Sequence, residues 1–220
     1  MMNKVLCSLL LFLSISCGLQ GRNANYARDS KRIWLDSKEI HHGEYVWKMK
    51  KAGDVISSAE KVSTLGYDTS DWLSAIVPGT VLNSLVYNKE YPEPYYGVNN
   101  KLESGKIPDI SKVGREFYTY WFRTEFDVPE SFAGKTIWLQ PDGVNYRAEI
   151  WVNGNLLSTL NGMFISDYIN VTDFVKVGRK NILAVKVYPV DVPGTTMPKS
   201  WGATGEFHNG GNGNIGLNTT

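Results

Sequence analysis

Residues 116–188 form a series of short β-prone runs cut by turn signals, a pattern that points to a layered all-β fold. Thr136-Ile137-Trp138-Leu139-Gln140 stops at Pro141-Asp142-Gly143, and Tyr146-Arg147-Ala148-Glu149-Ile150-Trp151-Val152 stops at Asn153-Gly154. The Asn-Gly pair predicts a two-residue hairpin turn, because both central positions of a type I′ turn need positive φ. Alternation puts Ala148, Ile150 and Val152 on one face and Arg147, Glu149 and Trp151 on the other. Residues 181–188 repeat the scheme with Leu183, Val185 and Val187. Residues 116–128, with Phe117, Tyr118, Tyr120, Trp121, Phe122 and Phe126, read as one long strand. Arg123 and Arg147 are expected in ion pairs of the core or sheet edge. Helical spacing is confined to Val81, Leu82, Leu85 and Val86 behind Thr80, which would cap a short helix. An irregular packed loop is the alternative there. The expected fold class is an all-β jelly-roll sandwich.

The N-terminus obeys a different logic. Lys4 precedes an apolar run over residues 5–15 that ends at Ser16-Cys17-Gly18. This is the grammar of a secretory signal, too short to cross a hydrocarbon layer of about 30 Å as a helix. Residues 1–17 are therefore expected to be a signal peptide, 18–31 a polar linker and 32–220 the folded domain. Cys17 also resembles the acceptor of a bacterial lipoprotein box, with Ser14 where leucine is usual. A lipid on Cys17 is the one membrane attachment expected. Cys7 and Cys17 are the only cysteines, so the domain has no disulfide framework and must be held by its core. Export without disulfides points to a bacterial envelope protein: periplasmic, outer-membrane lipoprotein or extracellular. A net charge of +1 gives no basic stripe for nucleic acid.

Chemistry-bearing motifs are sparse. Gly211-Asn212-Gly213-Asn214-Ile215-Gly216 fits a dinucleotide-binding pattern by letter, but no helix-forming run follows it, and a loop is expected. His41, His42 and His208 are the only histidines and lack a third ligand at metal spacing, so neither a metal nor a cofactor is expected. No serine sits in a nucleophile elbow, and no catalytic residue can be assigned. The loop-like stretch 88–114 stands out because structureless segments of that length in compact domains are usually functional. Within it, Tyr91-Pro92-Glu93-Pro94-Tyr95-Tyr96-Gly97-Val98-Asn99-Asn100 joins aromatic rings to amide and carboxylate groups. Rings can stack on the C–H face of a sugar while amides and carboxylates meet its hydroxyls. On composition alone, Tyr95 and Tyr96 are more readily taken as anchors of a long loop to the sandwich.

Several segments match one family in order. They are Val77-Pro78-Gly79-Thr80-Val81, Pro92-Glu93-Pro94-Tyr95-Tyr96-Gly97-Val98-Asn99 and Tyr120-Trp121-Phe122-Arg123-Thr124-Glu125-Phe126. The stretch from Gly143 to Gly154, then Asn161-Gly162-Met163-Phe164 and Asn181-Ile182-Leu183-Ala184-Val185, complete the series. Over residues 32–220 the chain resembles the start of family 2 glycoside hydrolases, in the β-mannosidase and exo-β-glucosaminidase branch. The resemblance implies a galactose-binding-domain-like jelly roll, followed by an immunoglobulin-like domain and a (β/α)₈ barrel. That barrel would carry two glutamates and hydrolyse with retention.

An aspartate-bearing loop and a Gly-Ile-Trp-Arg-like segment, which close the first domain in the family, do not occur by Thr220. The sandwich is thus expected to be cut short of its last strands. The resemblance implies that the loop from Glu93 to Asn100 borders the substrate pocket. Asn99 is the first candidate partner of a sugar hydroxyl, followed by Glu93 and Tyr96, with Tyr95 and Asn100 beside them. Trp201, Glu206 and His208 lie on a later loop that would also reach the pocket. The expected function is the non-catalytic first domain of a secreted, exo-acting, retaining β-glycosidase. Its expected partners are a β-linked glycan and the downstream domains. A free-standing carbohydrate-binding module and a docking domain without sugar contact remain open alternatives.

Overall fold

A computed structural model describes residues 4–9, 32–99, 101, 104–108, 113–162 and 165–189. The expected sandwich is present. Its larger sheet has six strands: β2 (Trp47–Lys51), β3 (Leu73–Ser74), β4 (Tyr120–Asp127), β6 (Arg147–Val152), β7 (Asn155–Asn161) and β9 (Lys180–Tyr188). They lie in the order β3-β2-β4-β9-β6-β7, and every neighbouring pair is antiparallel. The smaller sheet has three strands, with β5 (Thr136–Pro141) between β1 (Lys4–Leu9) and β8 (Ile169–Asn170). β1 runs parallel to β5 and β8 antiparallel.

The inner faces follow from alternation. Ala148, Ile150 and Val152 of β6, and Leu183, Val185 and Val187 of β9, are buried with Phe122 and Phe126 of β4. Ile137, Leu139 and Ile169 of the smaller sheet join the same core. Each of these Val, Leu, Ile and Phe side chains contributes roughly 1.5–3 kcal/mol through burial. Trp47 is buried there too, and its indole N–H donates to the Leu35 carbonyl at 2.6 Å.

The outer face of the larger sheet has its own cover. Residues 52–72, including the short helix α1 (Ala59–Val62), fold back over it. Val62 and Trp72 pack with Trp121, Trp151 and Ala184. β4 is therefore buried on both faces, which explains why it reads as an apolar run rather than an alternating one. Arg123 lies under this cover, 3 % exposed. Its Nε donates to the Val62 carbonyl and its Nη2 to that of Thr64, both at 3.0 Å. The expected ion pair exists as a 3.8 Å contact with Glu125, but the carbonyls hold the guanidinium. Burial lowers the Arg123 pKa against the opposing pull of Glu125. Arg147 lies over the Tyr188 ring, 4.6 Å from its centre.

Local signals were obeyed in most places. Asn153 (φ 48°) and Gly154 (φ 87°) form the hairpin turn between β6 and β7. Helix α2 spans Val81–Tyr87, and the Thr80 side chain accepts from the Asn83 N–H at 2.9 Å. Just before it, a Cβ at Gly79 would sit 2.7 Å from the Ile76 carbonyl oxygen, so glycine is required at this corner. One expectation needs correction: residues 116–128 are not a single strand. Arg115–Tyr118 is a 3-10 turn after Gly114 (φ 80°), and β4 begins only at Tyr120. Phe117 and Tyr118 are aromatic because they anchor the incoming loop, their rings meeting edge-on at 4.7 Å. β-propensity alone cannot distinguish that use from a strand.

Candidate functional site

The loop leaves α2 at Asn88, whose side chain pairs with β3 as a strand residue would. Its Nδ2 donates to the Ser74 carbonyl at 2.7 Å, and its Oδ1 accepts from the Ser74 N–H at 3.2 Å. At the other end the loop is tied down by tyrosines. The Tyr118 hydroxyl donates to the Pro108 carbonyl at 2.7 Å. Burial raises the Tyr91 pKa and pushes that of Tyr120 well above the ordinary phenol value. These rings form a dry footing, and the loop enters β4 at the end of the sheet opposite the Asn153-Gly154 turn.

Between these ties the chain turns back on itself. The Tyr96 N–H donates to the Glu93 carbonyl at 3.3 Å, and the Asn99 N–H to the Tyr96 carbonyl at 3.2 Å. The Glu93 carboxylate accepts from the Tyr95 N–H at 3.3 Å. Tyr95 and Tyr96 project outward, 81 % and 77 % exposed, with Val98 half-exposed beside them in sequence. Glu93 is exposed as well. Large apolar surface so displayed at adjacent positions is unusual for a loop whose ends are this well anchored.

Asn99 behaves differently from its neighbours. It is 6 % exposed, with Nδ2 donating to the Glu93 carbonyl at 2.8 Å and Oδ1 accepting from Lys106 Nζ at 2.7 Å. The structure thus brings Glu93, Tyr95, Tyr96 and Asn99 into one loop, but turns Asn99 inward. Sequence reasoning missed Lys106 and Ser104, which converge on Asn99. No pattern marks a lone lysine or serine in an irregular segment as the partner of a buried amide.

Asn100, Trp201, Glu206, His208 and Cys17, together with the glycine-rich stretch 211–216, lie outside the described residues. His41 and His42 are exposed, with ring centres 4.3 Å apart. Among the described residues, no group of three or more histidine, cysteine or acidic side chains could hold a metal ion. None of the helices there is long and apolar enough to cross a membrane.

A sequence model of the glycosyl hydrolase 2 galactose-binding domain-like family matches residues 47–203. The chain belongs to that family. Within it, the mannosylglycoprotein endo-beta-mannosidase of Lilium longiflorum is 40 % identical over 131 residues, 60 % of this chain and 13 % of the lily protein. An exo-beta-D-glucosaminidase from Amycolatopsis orientalis is 29 % identical over 149 residues, 66 % of this chain and 13 % of that one. The crystal structure of the Amycolatopsis orientalis exo-chitosanase superposes with a TM-score of 0.56 at 28 % identity, covering 67 % of this chain and 16 % of that enzyme. The galactose-binding-like chain therefore spans only 13 % of the length of these curated relatives.

Proposed function

We propose that this chain is the non-catalytic first domain of an exported, retaining β-glycosidase, and that its loop from Glu93 to Asn100 borders the substrate pocket. The exposed Tyr95–Tyr96 pair on an anchored loop of a family member carries the reading. A phenol ring offers a flat apolar face to the C–H surface of a pyranose. The Glu93 carboxylate alongside can accept from hydroxyls. Because the loop is already folded, little ordering is needed when a sugar arrives. The chemistry itself belongs to the two glutamates of the downstream barrel that the resemblance implies.

The substrate class is a β-linked mannoside or glucosaminide, on the names of the relatives. We adopt exo action, as named for the Amycolatopsis protein. The lily protein is named for endo action, so the first products released from an oligosaccharide decide the mode. Residues 1–17 would direct export, with Cys17 as the lipid acceptor. In that reading β1 belongs to the precursor and leaves with the signal. A mature chain beginning at a lipid-modified Cys17, read by mass spectrometry, is the expected product; an intact Met1 terminus would refute export by this route.

The deciding experiment replaces Tyr95 and Tyr96 by alanine in the enzyme that carries this domain. kcat/KM on β-mannosides and β-glucosaminides should fall about tenfold, about 1.4 kcal/mol of transition-state stabilisation. Unchanged kcat/KM on both would refute a sugar-facing loop and favour the docking-domain reading.

A further inference from the structure

Tyr95 and Tyr96 are displayed without a hydrophobic footing of their own, since Val98 is also half-exposed. What holds the turn beneath them is polar and centred on Asn99. That amide reaches back to the Glu93 carbonyl through Nδ2 and forward to Lys106 through Oδ1. Ser104 completes the arrangement. Its hydroxyl is placed 3.2 Å from the Asn99 carbonyl and 2.7 Å from that of Lys101, with the Lys106 N–H donating back to it at 3.3 Å. Glu93 and Lys106, on either side of Asn99 in the chain, are thus joined through one buried side chain.

We propose that Lys106 is a positioning residue: through the Asn99 amide it locks the turn over residues 93–99 and so fixes the Tyr95–Tyr96 pair for its ligand. The lock stands on the hydrogen bonds; only the identity of the ligand rests on the function proposed above. A charged donor on an amide oxygen is stronger than a neutral one. A buried acceptor also loses more when its donor is removed than the bond adds when made. With the ammonium gone, Asn99 Oδ1 must find water, and turning the amide outward releases the Glu93 carbonyl as well. Lys106 itself is exposed, so its loss leaves no cavity in the sandwich. The effect should be confined to the loop. A loop that must be ordered at binding takes that cost out of affinity, so the lock shows as tighter binding by the same two rings.

Two measurements on the enzyme that carries this domain test this. Hydrogen–deuterium exchange at the Tyr96 and Asn99 amides should rise about tenfold in Lys106→Met, while exchange in β4 and β9 stays as in the unsubstituted chain. Lys106→Arg, which keeps a charged donor, should restore most of the protection. Unchanged exchange in Lys106→Met overturns the lock; a rise spread over β4 and β9 as well overturns its confinement to the loop.

The second measurement is the KM of that enzyme for p-nitrophenyl β-mannoside and p-nitrophenyl β-glucosaminide. Binding should weaken several-fold in both Lys106→Met and Tyr96→Ala, with the loop loosened only in the former. If Tyr96→Ala weakens binding and Lys106→Met does not, the positioning role falls. If Tyr96→Ala binds both glycosides as the unsubstituted enzyme does, the sugar-facing reading falls while exchange still decides the lock.

Discussion

The two ends of the sandwich are each organised by a buried asparagine, and they are built to different standards. At the hairpin end, Asn181 is fully buried within β9. Its Oδ1 accepts from Asn153 Nδ2 and from the Lys176 N–H, both at 2.7 Å. Its Nδ2 donates to the carbonyls of Lys176 and Arg179. Asn153 in turn reaches the Phe174 carbonyl and accepts from the Ile182 N–H. Every partner is backbone or another short side chain, so nothing can swing away. At the loop end, Asn99 has a long, exposed lysine as the donor to its Oδ1. One end is fixed by the fold, whereas the other is fastened by a group that can let go. A binding loop gains from such an arrangement, because local opening need not cost global stability.

The contrast can be broken most forcefully at Asn181. Asn181→Ala removes at once the partner of the Lys176 N–H, of the Asn153 amide and of two carbonyls, and should cost about 3 kcal/mol in denaturant unfolding. A cost near zero would mean that the hairpin end is as adjustable as the other. Asn99→Ala is the matching change in the loop. It should lower global stability by about 1 kcal/mol or less. Exchange at the Tyr96 amide should nonetheless rise as steeply as in Lys106→Met. Equal destabilisation by the two asparagine variants would erase the distinction.

The smallest expected effect is a pH dependence. Burial raises the pKa of Tyr120, and burial together with the Glu149 carboxylate raises that of Tyr188, whose hydroxyl donates to Glu149 at 2.5 Å. These groups release protons first in the unfolded chain, near their ordinary value of about 10. The unfolded state then binds fewer protons than the folded one, so stability must fall as pH rises above about 10. Unfolding midpoints in Tyr188→Phe should fall less steeply over that range than those of the unsubstituted chain.

The sequence was most legible where one residue type has one local use. Asn153-Gly154 could only turn, Thr80 capped the helix behind it, and the alternation in β6 and β9 survived unchanged into the core. Legibility failed where a side chain works over distance. The cover formed by residues 52–72 was invisible because Arg123 finds its acceptors at Val62 and Thr64, far back along the chain. Phe117 and Tyr118 were read as strand because an aromatic anchor and a strand residue look alike. Asn99 was chosen as the residue most apt to face a sugar. In the structure its amide is bonded to the Glu93 carbonyl and to Lys106, and composition cannot say which way a loop amide points.

The position of β9 in the larger sheet has a consequence for how this chain is made. Among the described residues, β9 is the last strand of that sheet to leave the ribosome, yet it lies in the middle, between β4 and β6. Until it emerges, β2, β3 and β4 form one ribbon, β6 and β7 another, and each has an open edge. Between the synthesis of Asp127 and that of its partner Lys180, elongation at about 5–20 residues per second takes roughly 3–10 s. Through that interval the nascent chain carries two sticky half-sheets that can pair with strangers as readily as with each other. A ribosome that stalls before Tyr188 therefore releases no smaller sandwich, only two ribbons waiting for the strand that would join them.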